Sequence, residues 1–137
     1  VLFICIHNSG RSQMAETFLE TMGGERFEVE SAGLEPREIN ELVIEVMEEM
    51  NIDISENTSE SVFDFYKEGR LYDYVISVCD ESTERQCPIF PGISRRLHWP
   101  FPDPSSVVGT DEEKLLKVRK IRDDIHNRIM GWLNTLA

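Results

Sequence analysis

The sequence predicts an α/β fold in which a four-stranded parallel sheet carries helices on both faces. Short apolar runs of strand length alternate along the chain with longer stretches whose apolar residues recur at helical spacing. Because a helix separates consecutive strands, the strands run parallel and helices cover both faces of the sheet. Ligands of such sheets bind beyond the carboxyl ends of the strands, so we look for functional residues there.

The first half of the chain supplies two strands and two helices. Residues 1–5 form an apolar run that predicts a buried strand, and the stretch 13–22 predicts a helix that ends at Gly23-Gly24. Residues 27–30 alternate in polarity and predict the second strand. Apolar spacing predicts an amphipathic helix over residues 39–50, with glutamates on its solvent face. Its apolar side is formed by Ile39, Leu42, Val43, Val46, Met47 and Met50.

The middle of the chain continues the alternation after a polar connection, residues 51–60. Residues 62–66 predict a short helix, and residues 72–78 predict the third strand. The polar stretch 80–86 is compatible with another short helix, and residues 93–98 predict the fourth strand.

The last third begins with a proline-rich segment, residues 99–104, which cannot form a helix or a central strand and predicts a fixed loop. Thr110 and Glu113 match a capping box, which predicts the start of a long final helix. We expect the buried face of that helix to contain Val118, Ile121, Ile125, Ile129, Trp132 and Leu136.

Composition narrows the classes of protein and partner. A length of 137 residues with 40% hydrophobic residues predicts a single globular domain over residues 1–137. A net charge of −12 argues against nucleic acid and anionic membranes as partners. No apolar run approaches a membrane span and no secretion signal is recognisable, so we expect a cytoplasmic protein. In that compartment, three cysteines indicate catalysis, metal binding or no role rather than a disulfide framework.

The first twelve residues contain the strongest functional signal. Cys5 ends the first strand, and Arg11-Ser12 opens the first helix after five intervening residues. The loop amides, the helix N-terminus and the Arg11 guanidinium would converge on a tetrahedral oxyanion. The same positive field favours a thiolate at Cys5, which would be a nucleophile beneath the oxyanion. The alternative is a buried strand cysteine followed by an ordinary loop.

Several motifs in a fixed order resemble the low-molecular-weight protein tyrosine phosphatase superfamily. They are Cys5-x5-Arg11-Ser12, Ser31-Ala32-Gly33, the Cys79 and Cys87 pair, and Asp103-Pro104. Residues 8–16 and the two additional cysteines are similar to the thioredoxin-coupled arsenate reductase branch of that superfamily. The resemblance extends over essentially the whole chain and implies a three-layer α/β/α architecture.

The resemblance implies that Cys5 attacks arsenate and expels water or hydroxide, which leaves a Cys5–arsenic adduct. Ser12 would hydrogen-bond the thiolate, and Asp103 would supply the proton that the leaving oxygen needs. The implied oxyanion-binding residues are Ile6, His7, Asn8, Ser9, Gly10 and Arg11. Phosphate and sulfate would be analogues of the substrate.

The resemblance also implies a relay between the three cysteines. Cys79 would attack Cys5, release arsenite and form a Cys5–Cys79 disulfide. Cys87 would then attack Cys79, which leaves a Cys79–Cys87 disulfide for thioredoxin or a similar dithiol protein to reduce. The segment between Cys79 and Cys87 would have to rearrange so that this disulfide reaches the surface.

No tightly bound cofactor is expected, although the resemblance implies a potassium site behind the loop. The matching positions are Asn8, Glu16, Ser31 and Glu60, with Glu60 where an aspartate is expected. Two further departures concern the loop and the relay. His7 stands where some members carry glycine, and seven residues separate Cys79 from Cys87 where about six are expected.

The main alternative function is the hydrolysis of phosphate monoesters through a phosphocysteine, because phosphate and arsenate have nearly the same shape. Ser105-Ser106 argues for reduction, since phosphatases of the superfamily usually carry a tyrosine at this point. A phosphatase also has no need of Cys79 and Cys87. A non-catalytic oxyanion-binding or redox-sensing module is a third hypothesis, and it would need no proton donor.

Individual residues also have simpler interpretations. Cys79 and Cys87 could be unrelated thiols, or zinc ligands together with His98, although their spacing fits no usual zinc pattern. Asp103 could be only a turn residue.

Overall fold

The computed structural model describes residues 1–79 and 86–136. Two short 3₁₀ turns accompany the strands and helices, at Gly24–Arg26 and Pro104–Ser106. The strands and helices are β1 (Leu2–Cys5), α1 (Arg11–Gly23), β2 (Glu30–Gly33), α2 (Glu41–Glu48), α3 (Val62–Lys67), β3 (Tyr74–Ser77), β4 (Arg95–His98) and α4 (Asp111–Leu136). The short helix predicted over residues 80–86 lies outside the described residues, except for its last residue.

The four strands form one parallel sheet in the order β2-β1-β3-β4. In the register, Cys5 lies beside Gly33 and Ile4 lies beside Ser77. The carboxyl ends of the central strands therefore meet at one edge of the sheet. The predicted four-stranded parallel sheet is confirmed.

Alternate side chains of β1 enter two separate cores, as the pleat of a strand requires. Phe3 and Cys5 belong to the larger core, which includes side chains of α1, α2 and α4. Leu2 and Ile4 belong to the smaller core, which includes side chains of α3. Helices thus cover both faces, and the three-layer architecture is confirmed. In the part of the chain that the structure describes, no helix has the length and apolar character that crossing a membrane requires.

The second strand lies further along the chain than the predicted residues 27–30. The Glu30 amide donates to the Val1 carbonyl at 2.9 Å, and pairing with β1 continues from there to Gly33. Phe27 does not enter the sheet, because its ring packs 5.9 Å from that of Trp132. The correction places Ser31-Ala32-Gly33 inside the sheet beside the strand that ends at Cys5.

Helix α2 begins later than predicted, and the final helix α4 buries a slightly different set of residues. The Asn40 side chain accepts hydrogen bonds from the amides of Leu42 and Val43, so α2 begins at Glu41 and not at residue 39. In α4 the predicted burial of Val118, Ile121, Ile125 and Ile129 is confirmed. Leu136, however, is 41% exposed near the end of α4, and Leu133, one turn after Ile129, is buried in its place. Trp132 is only half-buried and packs against Trp99.

Candidate active site

The candidate nucleophile lies where β1 ends and the oxyanion loop, residues 6–10, begins. Cys5 is buried, and its Sγ accepts a hydrogen bond from the Asn8 amide at 3.1 Å. The Ser12 Oγ lies 2.9 Å from the same sulfur. Because that Oγ already accepts from Asn8 Nδ2 at 2.7 Å, the Ser12 hydroxyl hydrogen is available to Cys5. Two donors therefore stabilise negative charge on the sulfur.

The oxyanion loop presents free backbone donors above Cys5. Within the described residues, the amides of His7, Ser9 and Gly10 donate to no protein acceptor. The loop leads directly into the N-terminus of α1, whose first residue is Arg11. Oriented amides and a helix N-terminus form a local anion site. The resulting depression is lined by Cys5, His7, Ser9, Gly10, Arg11, Asn40, Asp103, Pro104 and Ser105.

Asn8 holds the loop in shape from inside the protein. Its backbone adopts the left-handed region with φ 52°, a conformation that asparagine tolerates better than most residues. Its Nδ2 donates to the Ser12 and Ser31 hydroxyls, and its Oδ1 accepts from the Glu60 amide at 2.8 Å. One buried amide thus connects the loop, α1, β2 and the segment before α3.

Sequence reasoning missed some of the residues that support the loop. Gln13 Nε2 donates to the carbonyls of Asn8 (3.0 Å) and Thr58 (3.1 Å). Ser59 Oγ also donates to the Asn8 carbonyl at 3.0 Å. The Asn40 amide donates to the Ser9 carbonyl at 2.9 Å, so the cap of α2 also anchors the loop. The one available signal was the cluster of hydroxyl and amide side chains in the 51–60 connection.

Asp103 lies across the depression from the oxyanion loop. Arg11 is buried and donates through Nη1 to the Phe101 carbonyl at 3.0 Å. Its Nη2 lies 3.8 Å from Asp103 Oδ2. The arginine therefore fixes the proline-rich loop against the anion site, and the structure brings together Cys5, Arg11 and Asp103 as the sequence predicts.

Cys79 and Cys87 are both buried, and Cys5 and Cys79 are free thiols. Cys79 lies just beyond β3, in the same core as Cys5, whereas Cys87 belongs to the smaller core. Burial raises the pKa of Cys79 to about 12, the negative charges of Cys87 and Cys5 add to this, and the charge of Arg11 opposes it. Cys79 therefore lies within electrostatic range of both partners in the proposed relay.

The zinc interpretation gains no support. His98 Nδ1 is 2.7 Å from Ser77 Oγ, and its buried Nε2 has no hydrogen-bond partner among the residues that the structure describes. Among residues 1–79 and 86–136, no cluster of three or more His, Cys, Asp or Glu side chains is placed to hold a metal ion.

The four positions implied for potassium lie near one another behind the loop. Asn8 donates to the Ser31 hydroxyl at 2.9 Å, and Ser31 hydrogen-bonds Glu16. Burial, followed by the nearby charge of Glu20, raises the pKa of Glu16 to about 7. Glu16, Ser31 and Glu60 line a common polar depression. The half-buried Glu16 carboxylate, the Ser31 hydroxyl and the Glu60 carboxylate supply oxygen donors of the kind that a monovalent cation takes.

Comparison with known proteins places this geometry in a family. The profile of the low molecular weight phosphotyrosine protein phosphatases matches residues 1–137. The chain belongs to this family. Among curated relatives, the arsenate reductase of Halalkalibacterium halodurans is 38% identical over 135 residues, which cover 98% of this chain and 95% of that protein.

Two solved arsenate reductases share the fold closely. An arsenate reductase in its oxidised state superimposes with a TM-score of 0.80 at 31% identity, covering 99% of this chain and 97% of the other. The thioredoxin-dependent arsenate reductase of Corynebacterium glutamicum gives 0.74 at 33% identity, covering 98% of this chain and 59% of the other. The chain thus belongs to the phosphatase family and is similar to proteins that carry the name arsenate reductase.

Proposed function

We propose that the chain reduces arsenate to arsenite through Cys5, Cys79 and Cys87, with a thioredoxin-like dithiol protein as the final reductant. The observation that carries the proposal is the position of Cys79. It is a free, buried thiol in the same core as Cys5, and it follows β3, the strand that pairs with the Cys5 strand β1. A phosphatase would need only Cys5, the loop, Arg11 and Asp103.

In the first step the Cys5 sulfur attacks arsenic in a bound arsenate. A sulfur–arsenic bond forms and an arsenic–oxygen bond breaks, and the departing oxygen takes a proton from Asp103 and leaves as water. The loop amides and Arg11 stabilise the remaining oxyanion charge. Asn8 and Ser12 keep the sulfur oriented, as their distances of 3.1 and 2.9 Å support.

In the second step the Cys79 sulfur attacks Cys5. A disulfide forms, and the electron pair of the sulfur–arsenic bond stays on arsenic, which is reduced from As(V) to As(III). A pKa of about 12 keeps Cys79 protonated at neutral pH, so its proton must leave as the attack proceeds. Burial thus protects Cys79 from other oxidants until an adduct stands beside it.

In the third step the Cys87 sulfur attacks Cys79, which releases the Cys5 thiolate and forms a Cys79–Cys87 disulfide. Two electrons from a dithiol protein reduce this disulfide and restore three thiols. Such a cycle requires a reducing compartment, so we place the activity in the cytoplasm.

The proposal includes a potassium ion held by Asn8, Glu16, Ser31 and Glu60. A bound cation would stabilise the ionised form of Glu16, which burial disfavours. Glu16 connects through Ser31 and Asn8 to Ser12, so its charge state affects the groups that orient Cys5. Thermal melts in potassium and sodium salts test the site, and identical midpoints would remove it.

Hydrolysis of phosphate monoesters remains the second candidate, because the depression around Cys5, Arg11 and Asp103 suits phosphate equally well. Ser105 lines that depression and offers no aromatic surface to a substrate ring. We therefore expect phosphatase activity to be minor.

The test is arsenate-dependent NADPH oxidation with thioredoxin and thioredoxin reductase. Wild type should sustain turnover, and Cys5→Ser, Cys79→Ser and Cys87→Ser should each lose it. Normal turnover by both Cys79→Ser and Cys87→Ser would refute the relay. Efficient hydrolysis of an aryl phosphate by wild type, without arsenate reduction, would establish the phosphatase alternative.

A further inference from the structure

Ser105 makes the two oxygens of the Asp103 carboxylate unequal. Asp103 Oδ1 accepts hydrogen bonds from the Ser105 amide at 2.9 Å and from the Ser105 hydroxyl at 2.8 Å. Asp103 Oδ2 instead lies toward the anion site, 3.8 Å from Arg11 Nη2. Ser105 itself lines that site.

The two bonds decide which oxygen can carry a proton. A carboxylate oxygen has two lone pairs, and on Oδ1 both have a donor at hydrogen-bond distance. A proton placed on Oδ1 would displace one of these bonds. When Asp103 is protonated, its proton therefore belongs on Oδ2, the oxygen that faces the oxyanion.

The rest of the Asp103 loop is already held in place. Pro104 is buried, and a Cβ at Gly10 would lie 3.3 Å from its ring, so Pro104 packs closely on the oxyanion loop. The Phe101 carbonyl accepts from Arg11. The freedom that remains is rotation of the Asp103 carboxylate, and the Ser105 hydroxyl restricts it.

We propose that Ser105 is a positioning residue that directs the acidic proton of Asp103, through Oδ2, to the leaving oxygen of the bound oxyanion. The proposal deepens the proposed function and rests on the proton-donor role of Asp103. Position 105 would thus serve proton transfer and not stacking on a substrate ring.

The test compares Ser105→Ala, which removes one of the two bonds to Oδ1, with Ser105→Thr, which keeps a hydroxyl. Ser106→Ala is the matched control, because Ser106 is an exposed serine of the same turn and its hydroxyl hydrogen-bonds none of the residues that the structure describes. The readouts are the single-turnover rate of arsenite formation and the KM for arsenate.

Ser105→Ala should lower the single-turnover rate about tenfold and leave KM within about twofold, since proton transfer and not binding is impaired. Ser105→Thr should restore most of the rate, and Ser106→Ala should match wild type. An unchanged rate in Ser105→Ala, or an equal change in Ser106→Ala, would overturn the proposal.

Hydrolysis of p-nitrophenyl phosphate by the same variants tests the role of Ser105 independently of arsenate reduction. A wild type that hydrolyses the ester but does not reduce arsenate refutes the reductase, while a selective rate loss in Ser105→Ala still supports the role of Ser105. If wild type neither hydrolyses the ester nor reduces arsenate, the role of Ser105 is tested by the carbon-13 NMR signal of the Asp103 carboxyl group in wild type and in the variant. The Ser105→Ala substitution must change that signal, and identical signals overturn the proposal.

Discussion

The α-carbon of Gly33 lies so close to the oxyanion loop that a side chain there would collide with backbone atoms. A Cβ at this position would lie 2.7 Å from the Asn8 nitrogen and 2.8 Å from the Ile6 oxygen. Neither atom belongs to a flexible side chain, so the loop itself would have to move. At the residue scale, the anion site therefore requires a residue without a side chain at position 33 of β2.

We expect Gly33→Ala to destabilise the protein by about 2–3 kcal/mol and to weaken phosphate binding strongly, because overpacking displaces the loop amides. Gly131→Ala is the control, since a Cβ there meets nothing within 4 Å on an exposed part of α4. It should stabilise the chain by up to about 1 kcal/mol. Urea unfolding and phosphate titration measure both effects, and equal behaviour of the two variants would contradict this explanation.

A second residue-scale prediction concerns Glu16, whose pKa is raised from its ordinary value of 4.5 to about 7, chiefly by burial. The folded chain therefore keeps this proton at pH values where the unfolded chain has lost it. The resulting stability is complete below about pH 4.5 and is lost as the pH rises through about 7.

In potassium-free buffer, the unfolding free energy of wild type should change with pH more than that of Glu16→Gln. As the pH rises from 5 to 8, wild type should lose about 2 kcal/mol relative to the variant. Denaturant titrations at the two pH values give this difference. Glu48→Gln, which changes an exposed glutamate of α2, should show no such difference. Parallel pH dependence of Glu16→Gln and wild type would refute the assignment.

Sequence reasoning found the site residues whose contacts are local in the chain and missed those whose contacts span many residues. Cys5 and Arg11 were predictable because strand, loop and helix follow one another directly. Gln13 and Ser59 act through hydrogen bonds that span 45 and 51 residues, to Thr58 and Asn8 respectively. No local pattern encodes such pairs, so only the folded chain reveals them.

At the scale of elements, α2 and α4 are joined by arginines that hydrophobic periodicity does not reveal. Arg122 is buried and donates to the Val46 carbonyl at 2.7 Å and to Glu49 at 2.8 Å. Arg119 donates to both oxygens of Glu49 from the exposed side. Hydrogen bonds from Arg119 lower the pKa of Glu49 to about 2, with Arg122 contributing. Glu49 is exposed, as its place on the predicted solvent face requires, and it also joins the two helices.

We expect Arg122→Ala to cost about 2–3 kcal/mol, since it leaves the Val46 carbonyl near the end of α2 without its buried donor. Arg119→Ala should cost less than about 1 kcal/mol, because its partner is solvent-exposed. Urea denaturation of both variants tests the contrast. A larger loss in Arg119→Ala would show that the exposed pair holds the helices together.

The strand boundaries show a second limit of sequence reasoning at this scale. Residues 27–30 alternate in polarity like a strand, yet Phe27 packs on Trp132, far away in the chain. Pairing with β1 starts instead where Glu30 meets Val1. Alternation indicated that a strand was near, but only tertiary packing determined which residues form it.

At the scale of the whole molecule, a net charge of −12 surrounds a site that binds a dianion. The oriented amides and Arg11 act at short range, whereas the overall charge repels an approaching oxyanion over longer distances. Arsenate therefore has to overcome the electrostatic repulsion of the whole protein before it contacts the loop amides and Arg11.

Raising sodium chloride from about 10 mM to about 150 mM shortens the screening length from about 30 Å to about 8 Å. We expect kcat/KM for arsenate to rise about two- to threefold, with kcat unchanged, because the repulsion is screened. Sodium sulfate at the same ionic strength should lower kcat/KM, since sulfate competes for the site. A fall with chloride would mean that the local positive field extends beyond the depression.

The side-chain amide of Asn8 also links oxyanion binding to folding, because its hydrogen bonds join the loop to residues distant in the sequence. Its partners Ser31 and Glu60 follow it by 23 and 52 residues, so the loop reaches its shape only after β2 and the segment before α3 have docked. Contacts of such separation carry a loop-closure entropy cost that slows folding. A partly folded intermediate would then hold a cysteine but no receptor for the anion. By mass action, phosphate or arsenate would favour the native state alone, and a nascent chain would acquire its reactivity in the same step as its tertiary structure.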